Sequence, residues 1–371
     1  MALSFVNSLE DYYFSSQVPD LVVSVTDGAP LALTLYGKAG TGTSYASGMA
    51  FFSSTYYPIN DRVTIYNLRE IIEAELVKNG WAVIDLRLKL VSNAEELIED
   101  MTVLHCHSNR TDSAADFLQS HFLTIAQSRV TTKSAQEYLP YFYIRTGNIH
   151  GQLVFSIQYR LVVMRDGMLI TLQQSNLMFG REGVGNVIIT YQFIKNLFTF
   201  SLLPDDKILS YTISFGNRTC TFYLTQRETQ RMFYFRNCFN ALELAILPVS
   251  TANKLETKSS SAVCGDVSTQ YDIEHTRSYE METSALLLTQ ADWLTQFLTS
   301  RDIRYWDGLS SSVEQMPQIL ITDYDYEISD EPGTVNSVKF EWQFANCRDT
   351  LRAIQSGSNG IFSEQFSSQF A

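Results

Sequence analysis

The sequence has no run of about 18 apolar residues, the length that a membrane-spanning helix needs. Its start, Met1 to Glu10, lacks a basic stretch followed by an apolar run and a small-residue cleavage site, so it does not match a secretory signal peptide. The chain also has few positive charges relative to negative ones, with a net charge of −13. General nucleic-acid binding requires a basic face that replaces counterions. These absences predict synthesis in the cytoplasm, no insertion into a membrane and no nucleic-acid partner.

Cysteine is scarce and follows no pattern. The five cysteines are odd in number and contain no Cys-x-x-Cys pair. They predict reduced, mostly buried thiols in a reducing compartment rather than a disulfide framework. The five are Cys106, Cys220, Cys238, Cys264 and Cys347.

Signatures of catalysis are absent as well. The chain has no Gly-x-Ser-x-Gly nucleophile elbow. The glycine-rich stretch Gly37 to Thr43 fails the P-loop pattern, which needs a Lys after the second Gly and directly before Ser or Thr. We interpret that stretch as a hairpin tip. The sequence therefore predicts no enzyme, no catalytic, cofactor-binding or metal-binding residue, no cofactor and no small-molecule ligand.

Two local clusters offer alternatives to this prediction. In a strand, His105 and His107 share one face while Cys106 points away, so only two ligands converge where zinc needs three or four. The carboxylates of Asp323, Asp325 and Glu327 lie on one face of a strand about 7 Å apart. They could bind a calcium ion or act as an acid–base pair, but Lys339 favours a solvated face with cross-strand ion pairs.

What the sequence does contain is material for β-structure. Hydrophobic residues make up 45% of the chain and charged residues 18%, which indicates a globular protein. Aromatic residues reach 13%, and aromatic side chains favour half-buried pleated surfaces and interfaces. Residues 1–100, 101–271 and 272–371 carry net charges of −7, +4 and −10. Acidic ends around a mildly basic middle could help copies of the chain associate.

The clearest single element is a hairpin at 319–344. Its first arm alternates Leu320, Tyr324 and Tyr326 with acidic residues, and its second arm alternates Phe340 and Trp342 with Lys339 and other polar residues. Alternation with a period of two predicts a buried aromatic face and a solvated charged face. The turn is expected at 330–333, Asp-Glu-Pro-Gly.

Strands, turns and helical stripes predict a mainly β fold of two or three antiparallel β-sandwich-like domains with a few short packing helices. An Asp166-Gly167 turn predicts a hairpin. A strand is expected at 197–202, and a loop rich in Ser, Thr and Lys at 250–262. The domains are predicted as 1–128, β-rich with helix 68–78; 129–228, a β-sandwich; 229–350, with helix 290–298 and hairpin 319–344; and a flexible tail, 351–371.

The last third of the chain resembles a recurrent module of Bacteroidetes proteins from prophage or phage-tail-like gene neighbourhoods. The stretches that carry the resemblance are Met232–Asn240, Ala291–Leu294, Ile319–Asp323 and Ser337–Trp342, with a weaker similarity at 62–76. The motifs are structural and transfer no catalytic residue. The resemblance implies a structural protein that is assembled into a virion or tail-like particle.

The leading functional hypothesis is a non-enzymatic structural or assembly protein that associates with itself and with other structural proteins. The alternative is a cell-surface adhesin or carbohydrate-binding protein with immunoglobulin-like domains.

Overall fold

A computed structural model describes most of the chain. The described residues are 3–25, 28–40, 49–93, 95–106, 113–143, 153–180, 183–225, 231–247, 249–264, 267–283, 286, 288–308, 310, 312–327, 331 and 336–345. The predictions for His107, for most of the turn at 330–333 and for the tail at 351–371 lie outside them, as do residues 41–43 of the glycine-rich stretch.

Strands dominate the described residues, so the predicted mainly β fold is confirmed. The strands are β1 (Ser4–Phe5), β2 (Tyr12–Phe14), β3 (Leu21–Ser24), β4 (Leu31–Ala39), β5 (Met49–Tyr56), β6 (Arg62–Ile65), β7 (Val83–Ser92), β8 (Glu95–Leu104), β9 (Ser128–Thr131), β10 (Gln136–Tyr143), β11 (Leu153–Arg165), β12 (Met168–Gly180), β13 (Gly183–Thr190), β14 (Lys207–Phe215), β15 (Arg218–Leu224), β16 (Arg231–Arg236), β17 (Leu242–Leu247), β18 (Val249–Cys264), β19 (Val267–Thr283), β20 (Ile303–Tyr305), β21 (Gln318–Asp325) and β22 (Lys339–Phe344). The helices are α1 (Leu68–Asn79), α2 (Ala114–Ser120), α3 (Tyr191–Leu197) and α4 (Leu288–Leu298).

The chain divides into two compact units. Unit 1 comprises residues 1–226 together with Arg236–Leu244, and unit 2 comprises Arg227–Phe235 with residues 245–371. The boundary predicted at 228/229 falls close to the start of unit 2, and the one predicted at 128/129 falls inside unit 1, within β9. The division into three domains itself stays a prediction.

The first part of unit 1 is a pair of sheets around one core. A five-stranded sheet in the order β2-β8-β7-β4-β5 and a three-stranded sheet in the order β1-β3-β6 contribute to the same apolar cluster. Helix α1 adds Leu68, Ile72 and Leu76, which are four residues apart and so lie on one face. It ends at Gly80, whose φ of 65° suits a residue without a side chain.

The second part of unit 1 has the two layers of a β-sandwich. A five-stranded sheet in the order β12-β11-β14-β15-β9 and the two-stranded sheet β10-β13 share a second apolar cluster. Strands β11 and β12 are joined by Asp166 and Gly167, with φ values of 49° and 78°. This is the tight turn that the dipeptide predicts, because both central residues of such a turn need a positive φ.

Unit 2 contains most of a seven-stranded sheet in the order β17-β16-β20-β21-β22-β19-β18. Its buried face is aromatic. Phe297 of α4 contacts Phe233, Phe235 and Phe340 edge-on or tilted, with ring centroids 5.4–5.7 Å apart. Apolar residues at a helical spacing on α4 therefore cover one side of the sheet.

The hairpin at 319–344 forms, but only one of its arms has the predicted faces. Phe340 and Trp342 of β22 are buried, with 2% exposure each. On β21, Tyr324 is 47% exposed and Tyr326 only half-buried, so the prediction that both belong to the core is wrong. Leu320 is 45% exposed as well, because it lies opposite Gln343 on the face away from Phe340 and Trp342. After a register shift between Ile321 and Asp323, Tyr324 lies opposite Phe340 and so on the aromatic face, but it is not covered there.

Two predicted elements are also wrong. The segment 250–262, expected to be a loop, is part of the 16-residue strand β18, which pairs with β19 along its length. The strand expected at 197–202 is instead the end of α3 and the turn that follows it. Thr190 caps this helix, because its hydroxyl accepts a hydrogen bond from the backbone N–H of Phe193 at 3.2 Å.

Candidate functional site

The histidine alternative is described only in part, because His107 lies outside the described residues. His105 is buried, and its Nδ1 lies 2.9 Å from the carbonyl oxygen of Cys238, to which it donates a hydrogen bond. Among the described residues, no group of three or more His, Cys, Asp or Glu side chains gathers to hold a metal. His105 therefore serves packing within unit 1.

The acidic residues of the hairpin remain in solvent. Asp323, Asp325 and Glu327 are all exposed. Asp325 lies opposite Lys339 in the register, but the Lys339 Nζ is 3.8 Å from Glu282 on the other neighbouring strand. On β18, Lys254 lies 2.9 Å from Glu280 and 3.8 Å from Glu341, so one lysine serves two carboxylates that face each other across β19 and β22. The arrangement is that of a solvated sheet surface.

A buried charged cluster in unit 1 was not anticipated from the sequence. It consists of Arg129 on β9, Glu137 on β10 and Glu243 on β17, each at most 3% exposed. Arg129 Nη1 is 3.8 Å from Glu243 Oε2. Neither carboxylate oxygen of Glu137 has a hydrogen-bond partner in the described structure. Two carboxyl groups thus share one guanidinium away from water.

Asn237 sets the position of Glu243. Its Nδ2 donates to Glu243 Oε1 at 2.9 Å and to the carbonyl oxygen of Leu123 at 2.7 Å. Its Oδ1 accepts from the backbone N–H groups of Phe239 and Ala241, which closes the turn. The side chain therefore has partners at both ends, as a buried amide requires.

Burial controls protonation in this cluster. It raises the pKa of Glu137 to about 7, while the nearby Arg129 charge works in the opposite direction. It also raises the pKa of the Cys220 thiol to about 11, so that thiol is not an activated nucleophile. A carboxyl near neutral pKa is suited to proton transfer, but each of the three charged side chains is enclosed by protein. The cluster fits a structural role.

A second buried cation, Arg218, ties the loop after α2 to the sandwich. Its guanidinium donates to the carbonyl oxygens of Leu118, His121 and Phe142. Burial lowers its pKa to about 10. Because its donors are occupied by backbone carbonyls and the residue is only 5% exposed, the arginine orders the backbone and is not accessible to a ligand.

The surface that remains open is the edge strand of the sandwich, β12. It is the outermost strand of its sheet, with β11 as its only neighbour among the described strands. The 13-residue strand contains no charged residue and no proline. Its pairing with β11 runs without a register shift, and Met168, Leu169 and Leu177 are each more than 60% exposed. Natural edge strands are usually blocked by charges, proline or bulges, and this one lacks all three.

The end of β11, just before the turn into β12, is hydrogen-bonded to a neighbouring loop. Arg165, at the end of β11, binds both carboxylate oxygens of Asp206 at 2.6–2.7 Å and donates to the carbonyl oxygen of Ser201 at 3.0 Å. These hydrogen bonds hold the pKa of Asp206 at about 2. The tethered loop presents Phe200 and Leu203 as further exposed apolar side chains. We call β12 with these two residues the open edge.

A polar groove of 570 Å³ lies beside the open edge. It is lined mainly by amides and hydroxyls around Arg160, and no carboxylate lines it. Arg160 makes no ion pair with a described residue. The polar lining residues are Gln158, Gln173, Gln174, Ser175, Thr212, Ser214 and Thr219.

Unit 2 contains a second element with unpaired strand edges, a two-stranded ribbon. Strands β18 and β19 pair from Val249 opposite Thr283 to Cys264 opposite Val267. Strand β22 pairs with β19 only at Tyr279–Glu282. In the described structure, the ribbon from Leu255 and Arg277 to its tip therefore has no third strand.

Comparison with known proteins gives no family assignment. No protein-family model and no curated protein matches the chain. One similar solved structure is the calcium binding domain CBD12 of CALX1.1, at 10% identity, covering 58% of this chain and 79% of that chain with a TM-score of 0.17. Another is trypsin activated alpha-2-macroglobulin from Escherichia coli, at 8% identity and a TM-score of 0.22; the match covers 76% of this chain but only 19% of that one. Likenesses at these TM-scores carry no argument about this chain. No helix in the described ranges is long and apolar enough to cross a membrane.

Proposed function

We propose that the chain is a non-enzymatic structural or assembly protein that acts through protein–protein contacts. The observation that carries the proposal is the ribbon of β18 and β19. A two-stranded hairpin is at best marginally stable in water and needs a third strand or a packing partner. The ribbon extends ten residue pairs from Leu255 and Arg277 to its tip, a length of about 34 Å. A partner chain would supply the third strand or packing surface that the described strands do not provide for the ribbon.

The open edge supports the same function. An uncharged, unblocked edge strand with exposed apolar side chains is a site for pairing with another chain. The resemblance in the last third of the chain supports assembly into a virion or a phage-tail-like particle. In that setting, contacts between copies and with other structural proteins are the function, and enclosed charges such as those of Arg129 and Glu243 keep each subunit folded.

The experiment that tests the proposal shortens the ribbon. Because Leu255 and Arg277 are register partners, replacing residues 256–276 by Asn-Gly closes the hairpin there with a two-residue turn. The pairs between β19 and β22 are left intact. Light scattering over a range of concentrations should show loss of higher-order association, while the shortened protein keeps a cooperative unfolding transition. Association that is equal in the shortened and full-length proteins would contradict the proposed role of the ribbon.

The polar groove favours a second candidate function, carbohydrate binding by an adhesin-type protein. Amides and hydroxyls with one guanidinium, as at Gln158, Ser214 and Arg160, are suitable hydrogen-bond partners for sugar hydroxyls. A glycan array would test it. Binding that is lost in Arg160→Ala would favour this function, and an array without binding would exclude it for the glycans tested.

A further inference from the structure

We propose that the partner of the open edge is a second copy of this chain, paired strand to strand through β12 in an antiparallel arrangement centred on Gln173. This inference rests on the proposed function and names the partner at one of its surfaces. The pairing would join two five-stranded sheets into one continuous sheet of ten strands about a two-fold axis.

The backbone of β12 is accessible for such pairing. None of the residues from Met168 to Met178 is buried. Pairing over these residues spans roughly 37 Å and forms about ten interchain backbone hydrogen bonds. The absence of bulges relative to β11 keeps the edge regular, which a new strand requires.

The side-chain pattern identifies a second copy as the partner. In an antiparallel pair centred on Gln173, residues equally far before and after Gln173 face each other. On the outer face, Leu169 then meets Leu177 of the second copy, and Thr171 meets Ser175 of the second copy. The two exposed leucines, at 66% and 63% exposure, cover each other on both sides of the axis. On this outer face, apolar residues meet apolar ones and hydroxyls meet hydroxyls.

The other face matches only at its ends, since Ile170 meets Asn176 and Leu172 meets Gln174 of the second copy. Met168 meets Met178 of the second copy, and the two Gln173 side chains meet at the axis, where each amide can both donate and accept. Because β12 carries no charge, no like charges oppose each other in this pairing. If the partner were an unrelated strand, there would be no reason for the outer-face residues of β12 to form the same sequence of apolar and polar side chains in both directions from Gln173.

The test uses the position on the axis. Gln173→Lys places two positive charges opposite each other, each also facing Arg160 of its own β11, and should weaken dimerisation about tenfold or more in sedimentation velocity. Gln173→Glu should weaken it less, because each carboxylate faces its own Arg160. An equimolar mixture of the two variants should recover the dimer, because lysine then faces glutamate. The matched control is Gln158→Lys, on the same face of the neighbouring strand β11, which should dimerise like the wild type.

Cross-linking tests the register independently. Gln173→Cys should form a disulfide dimer under mild oxidation, because facing Cβ atoms in an antiparallel pair are about 5 Å apart. Thr171→Cys should not, because its two copies would be four residues apart along the strands, about 13 Å and beyond disulfide reach.

The two proposals fail differently. A self-associating protein whose Gln173 variants keep the wild-type mass, and whose mixture shows no recovery, overturns self-pairing through β12 while leaving the assembly function in place. Cross-linking of Thr171→Cys rather than Gln173→Cys also overturns it. A wild-type protein that stays at 42.2 kDa at all concentrations, with or without its neighbouring gene products, overturns both proposals.

Discussion

Replacing Glu137 by Gln should make the protein more stable at alkaline pH and leave it unchanged in acid. The carboxyl is fully buried, and no donor satisfies its oxygens in the described structure, so the protonated form is favoured in the folded state. Gln has nearly the same shape and carries no charge at any pH.

The magnitude follows from the two pKa values of Glu137. The ordinary value of 4.5 applies to the unfolded chain, and burial raises the folded value to about 7. At 1.36 kcal/mol for each pKa unit, the difference corresponds to about 3 kcal/mol. Since the folded pKa is raised, the stability that the neutral carboxyl provides is complete below pH 4.5. It is lost as the pH rises from 4.5 through 7, the interval in which the unfolded chain is ionised while the folded carboxyl is still neutral.

Urea denaturation of the wild type and Glu137→Gln at pH 4.5, 6 and 8 measures this effect. The free energies of unfolding should agree at pH 4.5 and differ by up to about 3 kcal/mol in favour of the variant at pH 8. The matched control is Glu96→Gln, at an exposed carboxylate, which should follow the wild type at each pH. A variant that is less stable than the wild type at pH 8, or a difference that does not change with pH, would refute the reasoning. Either result would mean that Glu137 is ionised and paired in the folded protein.

Two further predictions concern the aromatic face and the buried arginine. Trp342 stacks on Tyr279 at 4.3 Å, so Trp342→Ala should cost about 3–5 kcal/mol of unfolding free energy. Asp325→Asn, on the solvated arm, should change it by less than about 0.5 kcal/mol in the same denaturation assay, and the reverse order would mean that the faces are misassigned. Arg218→Lys should cost about 2–4 kcal/mol, because a lysine cannot hold all three carbonyls that the guanidinium binds. An effect no larger than that of Thr219→Ala, at an exposed neighbour, would argue against the clamp.

The parts of the fold that the sequence predicts are those with a buried face or a specific turn. Strand β22 is identified by the alternation of Phe340 and Trp342 with charged residues. The hairpin between β11 and β12 is identified by Asp166-Gly167, since few other dipeptides accept two positive φ values. Helix α1 is identified by its apolar stripe and by Gly80.

The failures have physical causes. The segment 250–262 has no apolar alternation in the sequence, and residues 251–255 are exposed, so the strand pattern that periodicity detects is missing although the backbone pairs with β19. Leu320 is exposed because Ile319 and Ile321 lie on the aromatic face before the register shift, and no residue type predicts that shift.

The candidate surfaces were only partly predictable. Glu137, Leu139 and Tyr141 point to the same face of β10. A charged residue in line with buried apolar ones was the sequence signal for the buried cluster. That Glu243 would reach the same cluster depends on contacts across more than a hundred residues, which no local pattern encodes. The uncharged edge of β12 is visible in the sequence, but its place at the edge of the sheet follows only from the strand order.

The central claim, that the protein functions by assembling, is tested most directly by its molar mass in solution. Light scattering across a concentration series, with negative-stain imaging of the same samples, should show a mass that rises above the 42.2 kDa of one chain, and defined multimers. A mass of 42.2 kDa at every concentration, and no rings, tubes or other particles even when the neighbouring gene products are added, would contradict the account.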